Sequence, residues 1–515
     1  MIIRNSLNVV FAALALALTC SPGFALDDRV LQIASPREIT SLDPQDTGFH
    51  FRRLRVAETL VTTDPQGNLV PQLAESWQVS EDGLTWTFDI RDGVKFHDGS
   101  VLTADWVADR FSTFAEQGNL IATLPIEVVE AGDGTVVFKL EKPFSLVPAF
   151  LTDATSIILA PSSYASDGTV TQIVGTGPYR VEVIDGKKAA DLAAFDDYWG
   201  EPANIGKVHF IGATGQDTLA NLAESGQADL ILGLPQVLRD RVEASGNVRI
   251  KQLQTGRILG LLFNSTDPRF DDVGERQAVS LALDRAGIST ALFRNPDAAA
   301  NQLFSPAFPD WHVSGAPDIG WDIDEAKRLL AEAGWTSGED GVLVNDEGLR
   351  FSVEVIVGPQ PELQAMSQVV QAQLREVGID VDLVSGSYAQ VAETAANDTL
   401  ALGLARRAYG MAPDPVGTLL VDYLAENSDN AVWGGINFTD PDLQTAFADY
   451  LGATNEEQTA SARGRILEIM NGALPILPLA WYDYNVAISD RVDFDSVPVD
   501  ALELSFWIDR VAWAD

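Results

Sequence analysis

Apolar residues recur along this chain with the spacing of helices in some segments and with the spacing of strands in others. Apolar positions three and four residues apart are typical of a helix with one buried face. They predict helices over residues 103–115, 215–224, 275–293, 324–333, 363–377 and 454–471. Strand-like segments cover residues 84–91, 94–96, 135–140, 208–211, 351–357 and 380–384. The two kinds of segment alternate, which predicts a fold of the α/β or α+β class.

The strand pattern is clearest in residues 84–99. Apolar and polar residues alternate there up to Arg91, and this alternation predicts that one face of the strand is buried. The residues expected in the core are Trp86, Phe88, Ile90, Val94 and Phe96. Turns are expected at Gly83, Gly93 and Gly99, because a glycine adopts positive φ at little cost.

The net charge of the chain argues against two classes of function before any motif is considered. The chain has 74 acidic residues and 34 Lys or Arg residues, which gives a formal net charge of −40. Nucleic-acid binding and docking on an anionic lipid surface both need a basic face, so neither is expected. With 46 % hydrophobic and 21 % charged residues, the composition is that of a folded protein.

The first 25 residues are predicted to be a signal peptide. Arg4 provides a positive charge, residues 9–18 form an apolar stretch too short to span a bilayer, and cleavage is expected after Ala25. The single cysteine, Cys20, lies inside this segment. A lipidated Cys20 is the alternative, although Thr19 is a poor match to the small residue expected before it.

Cleavage after Ala25 would leave a mature protein without cysteine, and therefore without disulfides, thiolate chemistry or a cysteine-bound metal. No later apolar run reaches the length of a membrane span. We therefore expect a periplasmic protein that is not inserted in the membrane.

A series of motifs follows in a fixed order along the chain. The first block comprises Glu75-Ser76-Trp77, Ser80-Glu81-Asp82-Gly83, Trp86-Thr87-Phe88, Arg91-Asp92-Gly93-Val94-Lys95-Phe96-His97-Asp98-Gly99 and Leu102-Thr103-Ala104-Asp105-Trp106-Val107. Later motifs include Gly175-Thr176-Gly177-Pro178-Tyr179, Asp197-Tyr198-Trp199-Gly200, Phe263-Asn264, Ala282-Leu283-Asp284-Arg285 and Ala333-Gly334-Trp335. Over essentially the whole mature chain, they resemble bacterial extracellular solute-binding protein family 5, the peptide/nickel-binding ABC transporter substrate-binding proteins.

The resemblance implies an α/β, two-lobed periplasmic binding protein fold with an extra domain and a hinge between the lobes. The implied boundaries are signal peptide 1–25, lobe I 26–65, 180–262 and 481–515, extra domain 66–179 packed on lobe I, and lobe II 263–480. The implied function is capture of a small molecule or peptide in the cleft between the lobes and its delivery to an ABC permease in the inner membrane. We expect the protein to be a monomer.

No arrangement of residues predicts catalysis, and the protein is not expected to be an enzyme. The sequence has no Gly-x-Ser-x-Gly motif and no His-Glu-x-x-His motif. Its four histidines, His50, His97, His209 and His312, include no pair four residues apart. We therefore predict no catalytic residue, no metal-ligand set and no cofactor.

The resemblance also indicates which residues face the cleft. The segment Thr47–Arg53 lines the cleft in this family, and the segment Leu404–Pro415 resembles the cleft segment of its nickel-binding branch. The predicted ligand-binding residues are Phe49, His50, Arg407, Tyr409, Asp414 and Trp433. The structural alternatives are core packing for the rings, an internal salt bridge for Arg407, and a turn or helix cap for Asp414.

The sequence indicates the family more clearly than it indicates which solute the protein binds. The nickel branch uses a histidine, an arginine and an aromatic residue at positions where this chain has Asn427, Leu120 and Thr123. The peptide branch holds an α-amino group with an aspartate where this chain has Met411-Ala412. A peptide or a similar amphipathic zwitterion is the favoured solute, and a nickel or metal chelate is the alternative. A periplasmic sensory or chaperone-like interaction protein is the alternative outside transport.

Overall fold

The structure is a computed structural model that describes residues 29–117, 120–186, 188–316, 319–358, 360–410, 413–424, 435–494 and 505–514. The predicted signal peptide, Cys20 and Trp433 lie outside the described residues, as do Asn427 and Met411-Ala412.

Twenty strands are present in the described part of the chain. They are β1 (Val30–Ser35), β2 (Val61–Thr63), β3 (Leu69–Pro71), β4 (Ala74–Val79), β5 (Thr85–Ile90), β6 (Ile126–Ala131), β7 (Thr135–Leu140), β8 (Tyr179–Asp185), β9 (Ala189–Ala194), β10 (Lys207–Gly212), β11 (Leu230–Leu232), β12 (Val248–Phe263), β13 (Thr336–Ser337), β14 (Leu343–Val344), β15 (Ser352–Val357), β16 (Asp380–Ser385), β17 (Leu402–Ala408), β18 (Ile476–Ser489), β19 (Val492–Asp493) and β20 (Ala512–Trp513).

The described part of the chain also contains thirteen α-helices. They are α1 (Pro44–Arg53), α2 (Ala104–Glu116), α3 (Val147–Phe150), α4 (Gln216–Glu224), α5 (Arg239–Glu243), α6 (Val273–Leu281), α7 (Arg285–Phe293), α8 (Ile323–Glu332), α9 (Pro361–Glu376), α10 (Tyr388–Ala396), α11 (Val416–Tyr423), α12 (Pro441–Leu451) and α13 (Glu456–Ala473).

One large sheet of ten strands organises the molecule, in the order β16-β15-β17-β12-β18-β11-β1-β10-β9-β8. We call the part around β1 and β8–β11 lobe I, and the part around β15–β17 lobe II. Each lobe has parallel strands at its centre, β1 with β10 and β11 in lobe I and β15 with β16 and β17 in lobe II. This mixture of helices and a large, partly parallel sheet is an α/β architecture.

The long strands β12 and β18 join the two lobes. They are antiparallel, and their register runs from the pair Val248–Ser489 to the pair Leu262–Ile476. β18 pairs with β11 on the lobe I side, and β12 pairs with β17 on the lobe II side. The register is irregular between Gln254 and Ile258, so the regular ladder is interrupted at the point where the strands pass from one lobe to the other.

A second sheet, in the order β4-β5-β7-β6, lies inside the range 66–179 expected for the extra domain. Helix α2 packs against β6 and β7. Three phenylalanine rings fill the space between helix and sheet, with the Phe111 and Phe138 centroids 5.2 Å apart and those of Phe88 and Phe138 5.5 Å apart. The expected boundaries between lobes and extra domain stay a prediction.

A buried carboxylate ties two of the sequence motifs together. Glu58 is 1 % exposed and accepts hydrogen bonds from Thr176 Oγ1 at 2.8 Å, Trp199 Nε1 at 2.8 Å and the Tyr198 hydroxyl at 2.9 Å. Burial raises the pKa of Glu58, which nearby Arg55 and these donors counteract. The motif residues therefore fix the connection between α1 and the strands that follow.

Most sequence-predicted elements are confirmed. The structure places α2, α4, α8, α9 and α13 within two residues of the predicted ends, and β5, β7, β10, β15 and β16 within one residue. The five residues expected in the core between Trp86 and Phe96 are at most 9 % exposed. The φ angles of Gly83, Gly93 and Gly99 are 71°, 71° and 85°, as the turn prediction requires.

Two predicted elements are wrong. The helix expected over residues 275–293 is two helices, α6 and α7, because the Asp284 side chain accepts from Gly287 N–H at 2.8 Å and starts a new helix. The strand expected over residues 94–96 is an isolated bridge between Lys95 and Val101. The turns at Gly93 and Gly99 leave too few residues between them for a ladder.

Candidate ligand-binding cleft

A cleft lies where β12 and β18 pass from lobe I to lobe II. It contains a cavity of about 300 Å³ that is lined by α1, by residues 153–155, by Gly256 and Arg257 of β12, and by Ala408 and Gly410. Its walls therefore come from lobe I on one side and from lobe II and the crossing strand on the other. Binding sites of this size are typical for small organic ligands.

Local sequence fixes the position of α1 in the wall. The Asp43 side chain accepts from Gln45 N–H at 3.0 Å and Pro44 occupies the first turn, which together start the helix. A Cβ on Gly48 would lie 2.2 Å from the carbonyl oxygen of Ala154. Only glycine therefore allows α1 to approach residues 153–155 as closely as it does, and this approach brings Phe49 to the cavity wall.

A second cavity of about 80 Å³ adjoins the first and shares Arg37, Arg53 and Arg257 with it. Ten described residues line it, and none of them is acidic. Four of the ten are arginines, whereas Lys and Arg together make up only 34 of the 515 residues in the chain. We call these four residues, Arg37, Arg53, Arg257 and Arg406, the guanidinium cluster.

Aromatic rings hold part of the guanidinium cluster in place. The Arg37 and Arg53 guanidinium carbons lie 5.3 and 5.4 Å from the centroid of the Phe49 ring. Arg406 lies 5.1 Å from the Tyr482 ring and donates to Glu362 Oε1 at 3.2 Å. Cation–π contacts at these distances help to orient a guanidinium group.

Two carboxyl groups lie in the larger cavity, away from the smaller one. Asp46 is exposed, and Asp153 is 8 % exposed. The Asp153 carboxylate accepts from Thr155 N–H at 2.9 Å. Burial raises the pKa of Asp153, and the hydrogen bonds from Thr155 and the charge of Arg52 oppose this shift. The lining is therefore basic at one end and carries acidic groups at the other.

Alternation along β17 decides which of its residues reach the cleft. Arg406, Ala408 and Gly410 line the two cavities, whereas Arg407 and Tyr409 do not. Successive side chains of an extended chain point to opposite faces, so residues 407 and 409 face the other side of the sheet.

Three of the predicted site residues have internal partners. Arg407 donates to both carboxylate oxygens of Asp422, at 2.8 and 2.6 Å, and the Asp422 side chain is fully buried. Tyr409 is 1 % exposed and packs 5.3 Å from the Phe304 centroid. Asp414 accepts from Val416 N–H at 2.9 Å at the start of α11. Internal pairing for Arg407, core packing for Tyr409 and a turn before α11 for Asp414 are the structural alternatives that the sequence left open.

His50 also lies in the interior, although its neighbour Phe49 lines the cleft. The imidazole is 3 % exposed, and its ring centroid lies 4.2 Å from that of Phe49, at an interplanar angle of 34°, and 5.4 Å from that of Phe210. Its Nε2 is 3.1 Å from the Glu38 carbonyl oxygen and donates to it. Burial lowers the pKa of His50 to about 3, and the charge of Arg53 adds to the effect. Ligand binding by His50, Arg407, Tyr409 or Asp414 stays a prediction.

Larger cavities exist elsewhere, but each lies within one lobe. One of about 830 Å³ lies between β1, β10, residues 490–491 and residues 513–514, and one of about 670 Å³ lies among α6, α8 and the end of α13. The described residues contain no group of three or more His, Cys, Asp or Glu side chains arranged to hold a metal ion. Among these cavities of the described residues, the two at the cleft are the ones lined by charged residues of both lobes or of the strand that crosses between them.

Comparison with known proteins decides the family. The sequence model of the bacterial extracellular solute-binding proteins, family 5 (middle region), matches residues 68–430. The chain belongs to this family. Proteins of family 5 bind small molecules or peptides outside the cytoplasm and work with ABC permeases. Within the described part of this family 5 protein, no helix is both long enough and apolar enough to cross a membrane.

Individual relatives differ in the ligand that they are named for. The nickel-binding periplasmic protein of Escherichia coli K12 is 25 % identical over 91 % of this chain and 93 % of its own length. The glutathione-binding protein GsiB of the same organism is 25 % identical over 73 % of each chain. The crystal structure of NikA from Brucella suis in complex with Fe(III)-EDTA covers 95 % of this chain and 100 % of its own, with a TM-score of 0.84 and 23 % identity. That likeness shows the two-lobed fold.

Sequence reasoning did not select most of the guanidinium cluster as binding residues. Arg37 follows β1, Arg53 ends α1 and Arg257 lies in β12, so these three are spread over 220 residues of sequence. Nothing local marks them as neighbours, because only the order of strands in the large sheet brings them together. Arg406 carried a usable signal, since it lies on the same face of β17 as Ala408.

Proposed function

We propose that this family 5 protein is the periplasmic receptor of an ABC importer and that it binds a small peptide or a similar amphipathic zwitterion in the cleft. The observation that carries this proposal is the cavity of about 300 Å³ with walls from both lobes, placed at the irregular crossing of β12 and β18. A cavity of this volume accommodates a solute about the size of a dipeptide or tripeptide.

The charges of the lining support a zwitterion. The guanidinium cluster places basic side chains beside the cavity that attract a carboxylate, and Asp46 and Asp153 place carboxyl groups there that attract an ammonium group. Phe49 provides an apolar surface between these polar groups. A solute with a carboxylate at one end and an amine at the other would therefore find partners along the whole cavity.

Contacts from both walls supply a mechanism for ligand-driven closure. A solute that touches α1 on lobe I and Gly256, Arg257 and Ala408 on the other wall gains contacts as the lobes approach. Ligand then favours the closed form, because only a difference in affinity between the two forms shifts their equilibrium. The closed, loaded form is the one that would be delivered to the permease.

Export by the signal peptide of residues 1–25, location in the periplasm and a monomeric state complete the proposal. No catalytic role is proposed, because the cleft residues described above account for binding alone.

Thermal unfolding of residues 26–515 tests the receptor role. The protein would be unfolded and refolded to remove carried-over solute, then heated with dipeptides, tripeptides, opines or oligosaccharides. A solute at 100 times its dissociation constant adds about 2.7 kcal/mol, which raises the midpoint measurably. Phe49→Ala should abolish the shift, and Trp321→Ala, at a side chain 55 % exposed, should leave it unchanged. Equal shifts in both variants would place the solute outside the cleft.

A metal chelate is the second candidate solute, because the similarity to a nickel-binding periplasmic protein extends over 91 % of this chain. Since the described residues offer no metal-ligand group, the ion would have to arrive wrapped in an organic chelator. Nickel with histidine should then raise the midpoint while nickel alone does not. A shift with nickel alone would contradict binding as a preformed chelate.

A further inference from the structure

We propose, building on the receptor function above, that hydrogen bonds on the side of the crossing strands away from the cleft hold the two lobes apart until solute binds. The donors are Gln236, which follows β11 in lobe I, and Asn295, which follows α7 in lobe II. Neither residue lines the two cavities at the cleft. They are positioning residues, which set the affinity for solute without contacting it.

Alternation along β18 separates the two sides of the crossing. Tyr482 and Tyr484 line the smaller cavity at the cleft. Asp483 and Asn485 alternate with them, so these two side chains point to the opposite face, which we call the rear face. Asp483 pairs with Gln254 at the last regular position before the irregular register, which places Asp483 on the lobe I side of the crossing.

Two hydrogen bonds join the lobes on the rear face. Gln236 Nε2 donates to the Phe293 carbonyl oxygen at 2.7 Å. Asn295 Nδ2 donates to the Asp483 carboxylate at 2.8 Å, and Asp483 is only 3 % exposed. We call these two bonds the rear contacts.

The partners in the rear contacts belong to different lobes. Leu238, two residues after Gln236, packs in a core with Ala34 of β1 in lobe I. Phe293 packs in a core with Leu402 of β17 in lobe II. The rear contacts therefore depend on the angle between the lobes, unlike hydrogen bonds inside either core.

The crossing strands hold the lobe I partners of these bonds in place. Asn485 Nδ2 donates to Gln236 Oε1 at 2.7 Å, and Gln252 Nε2 donates to the Asp483 carboxylate at 2.6 Å. Because β12 and β18 fix these side chains, neither can follow lobe II freely when the lobes rotate.

A rotation about the crossing strands has opposite effects on their two sides. As the cleft narrows, the lobes move apart on the rear face, and the bond from Gln236 to Phe293 must lengthen. Losing such a bond costs free energy, since a buried group is left without its partner. The rear contacts therefore favour the open form, and they reduce the apparent affinity for solute by reducing the fraction of closed protein.

Substitutions that remove the two donors should tighten binding. Gln236→Glu replaces the Nε2 donor and keeps Oε1 as the acceptor for Asn485. Asn295→Ser keeps a side-chain oxygen that can cap Asp297 N–H, as Asn295 does, but is too short to reach Asp483. In calorimetry on refolded residues 26–515, we expect the double variant to bind glutathione or Ala-Ala-Ala at least threefold more tightly than the unaltered protein.

Gln371→Glu is the matched control for these substitutions. Gln371 is half-buried like Gln236, and its Nε2 donates at the same distance of 2.7 Å to a backbone carbonyl, that of Val381. This bond joins α9 to β16 within lobe II, so it does not depend on the angle between the lobes. The control variant should bind both peptides as the unaltered protein does.

A covalent bridge on the rear face should have the opposite effect. Arg294 and Asp240 lie in the same two segments, pair at 3.0 Å and are 69 and 61 % exposed. Residues 26–515 contain no cysteine, so Asp240→Cys with Arg294→Cys can be joined specifically by dibromobimane. Bridged protein should bind the peptides at least tenfold more weakly than the same variant treated with N-ethylmaleimide, because the bridge prevents the rear face from opening.

The outcomes separate this inference from the receptor function. Unchanged or weaker binding by the double variant, or equal binding by bridged and N-ethylmaleimide-treated protein, would overturn the role of the rear contacts and leave the receptor function intact. If neither peptide binds the unaltered protein, the peptide receptor is contradicted and small-angle X-ray scattering without solute decides. The double variant should then have a smaller radius of gyration than the bridged protein, and equal radii would overturn the inference.

Discussion

Arg406 and Arg407 are neighbours on β17, but they face opposite sides of the sheet and have different roles. Arg406 faces the cleft, where it contacts Glu362 and the Tyr482 ring and is 19 % exposed. Arg407 faces the interior, where it forms a two-point pair with Asp422, whose side chain is fully buried. The same side chain is thus part of a binding surface at one position and part of the folded framework at the next.

This difference has a consequence for energetics. A buried ion pair is costly to break, because the remaining charge has lost its hydration and its partner. Arg406 and its partner Glu362 keep 19 and 13 % of their side-chain surface exposed, whereas Asp422 keeps none, so replacing Arg406 should change the affinity for solute more than it changes the free energy of unfolding. The predictions that follow are ordered from the largest expected effect to the smallest.

Asp422→Ala should have the largest effect, since it leaves the Arg407 guanidinium buried without its carboxylate. We expect the free energy of unfolding in urea to fall by about 3–5 kcal/mol. Glu362→Ala, which removes the partner of Arg406 at the cleft, should cost clearly less. Equal losses in the two variants would show that the two faces of β17 do not differ in this way.

On α1, Phe49 lines the cleft whereas its neighbour His50 is buried. The burial of His50 predicts that the free energy of unfolding depends on pH. His50 is buried with a pKa of about 3, whereas a histidine in the unfolded chain has a pKa of about 6.5. As the pH falls below about 6.5, the unfolded chain takes up a proton that folded His50 does not. The free energy of unfolding should therefore fall by about 2 kcal/mol between pH 7.5 and pH 5 on account of His50.

His50→Gln should reduce this slope, because glutamine can donate to the Glu38 carbonyl and does not titrate. His209→Gln is the control, since its ring is about 30 % exposed and pairs with Asp191. The slope should remain in that variant. Part of the slope should also persist in His50→Gln, because burial lowers the pKa of His97 to about 4. A slope unchanged by His50→Gln would contradict the buried neutral state.

Replacing each of the two arginines by glutamine separates the effect on solute binding from the effect on the free energy of unfolding. Arg406→Gln should weaken binding of a carboxylate solute about tenfold, or about 1.4 kcal/mol, with little change in unfolding. Arg407→Gln should lower the free energy of unfolding while the folded protein binds within about threefold of the unaltered one. Calorimetry and urea unfolding on both variants measure this. Loss of affinity in Arg407→Gln but not in Arg406→Gln would show that Arg407 binds the solute, as the sequence predicted.

The smallest effect is expected at the acidic end of the cleft. Asp46 is exposed, so its attraction for the ammonium group of a bound zwitterion is largely screened by water. Asp46→Asn should weaken binding of a zwitterionic solute by no more than a few fold, and the loss should disappear at 500 mM NaCl. Unchanged or tighter binding at low salt would show that Asp46 does not interact with the ammonium group, and calorimetry at two salt concentrations distinguishes these results.

Much of the fold could be predicted because its signals are local. The alternation that predicted β5 is visible in eight consecutive residues, and the core positions of Trp86, Phe88 and Ile90 follow from it. The turn glycines likewise depend only on their own φ angles. The helix predicted over residues 275–293 failed where a local competitor, the Asp284 cap, was overlooked.

The site could be predicted only in part. Phe49 was placed in the segment that reaches the cleft, and the structure shows it in the cavity wall. Its neighbour His50 does not line the cavity, and neither do Arg407 and Tyr409. The sequence alone does not show which face of each segment meets the cleft. A period of two defines which residues share a face, but only the position of the strand in the sheet shows which face meets the cleft.

By itself, the sequence determined ten of the helices and strands of the described chain, the core of the smaller sheet and the ordered motifs of family 5; the ten elements are α2, α4, α8, α9, α13, β5, β7, β10, β15 and β16. These depend on residues that are near one another in sequence or that recur at a fixed spacing. Only the tertiary structure decided that Arg37, Arg53, Arg257 and Arg406 meet, and that Arg407 has Asp422 as its partner. The physical reason is that contacts between distant segments follow from the order of the ten strands, which no local pattern contains.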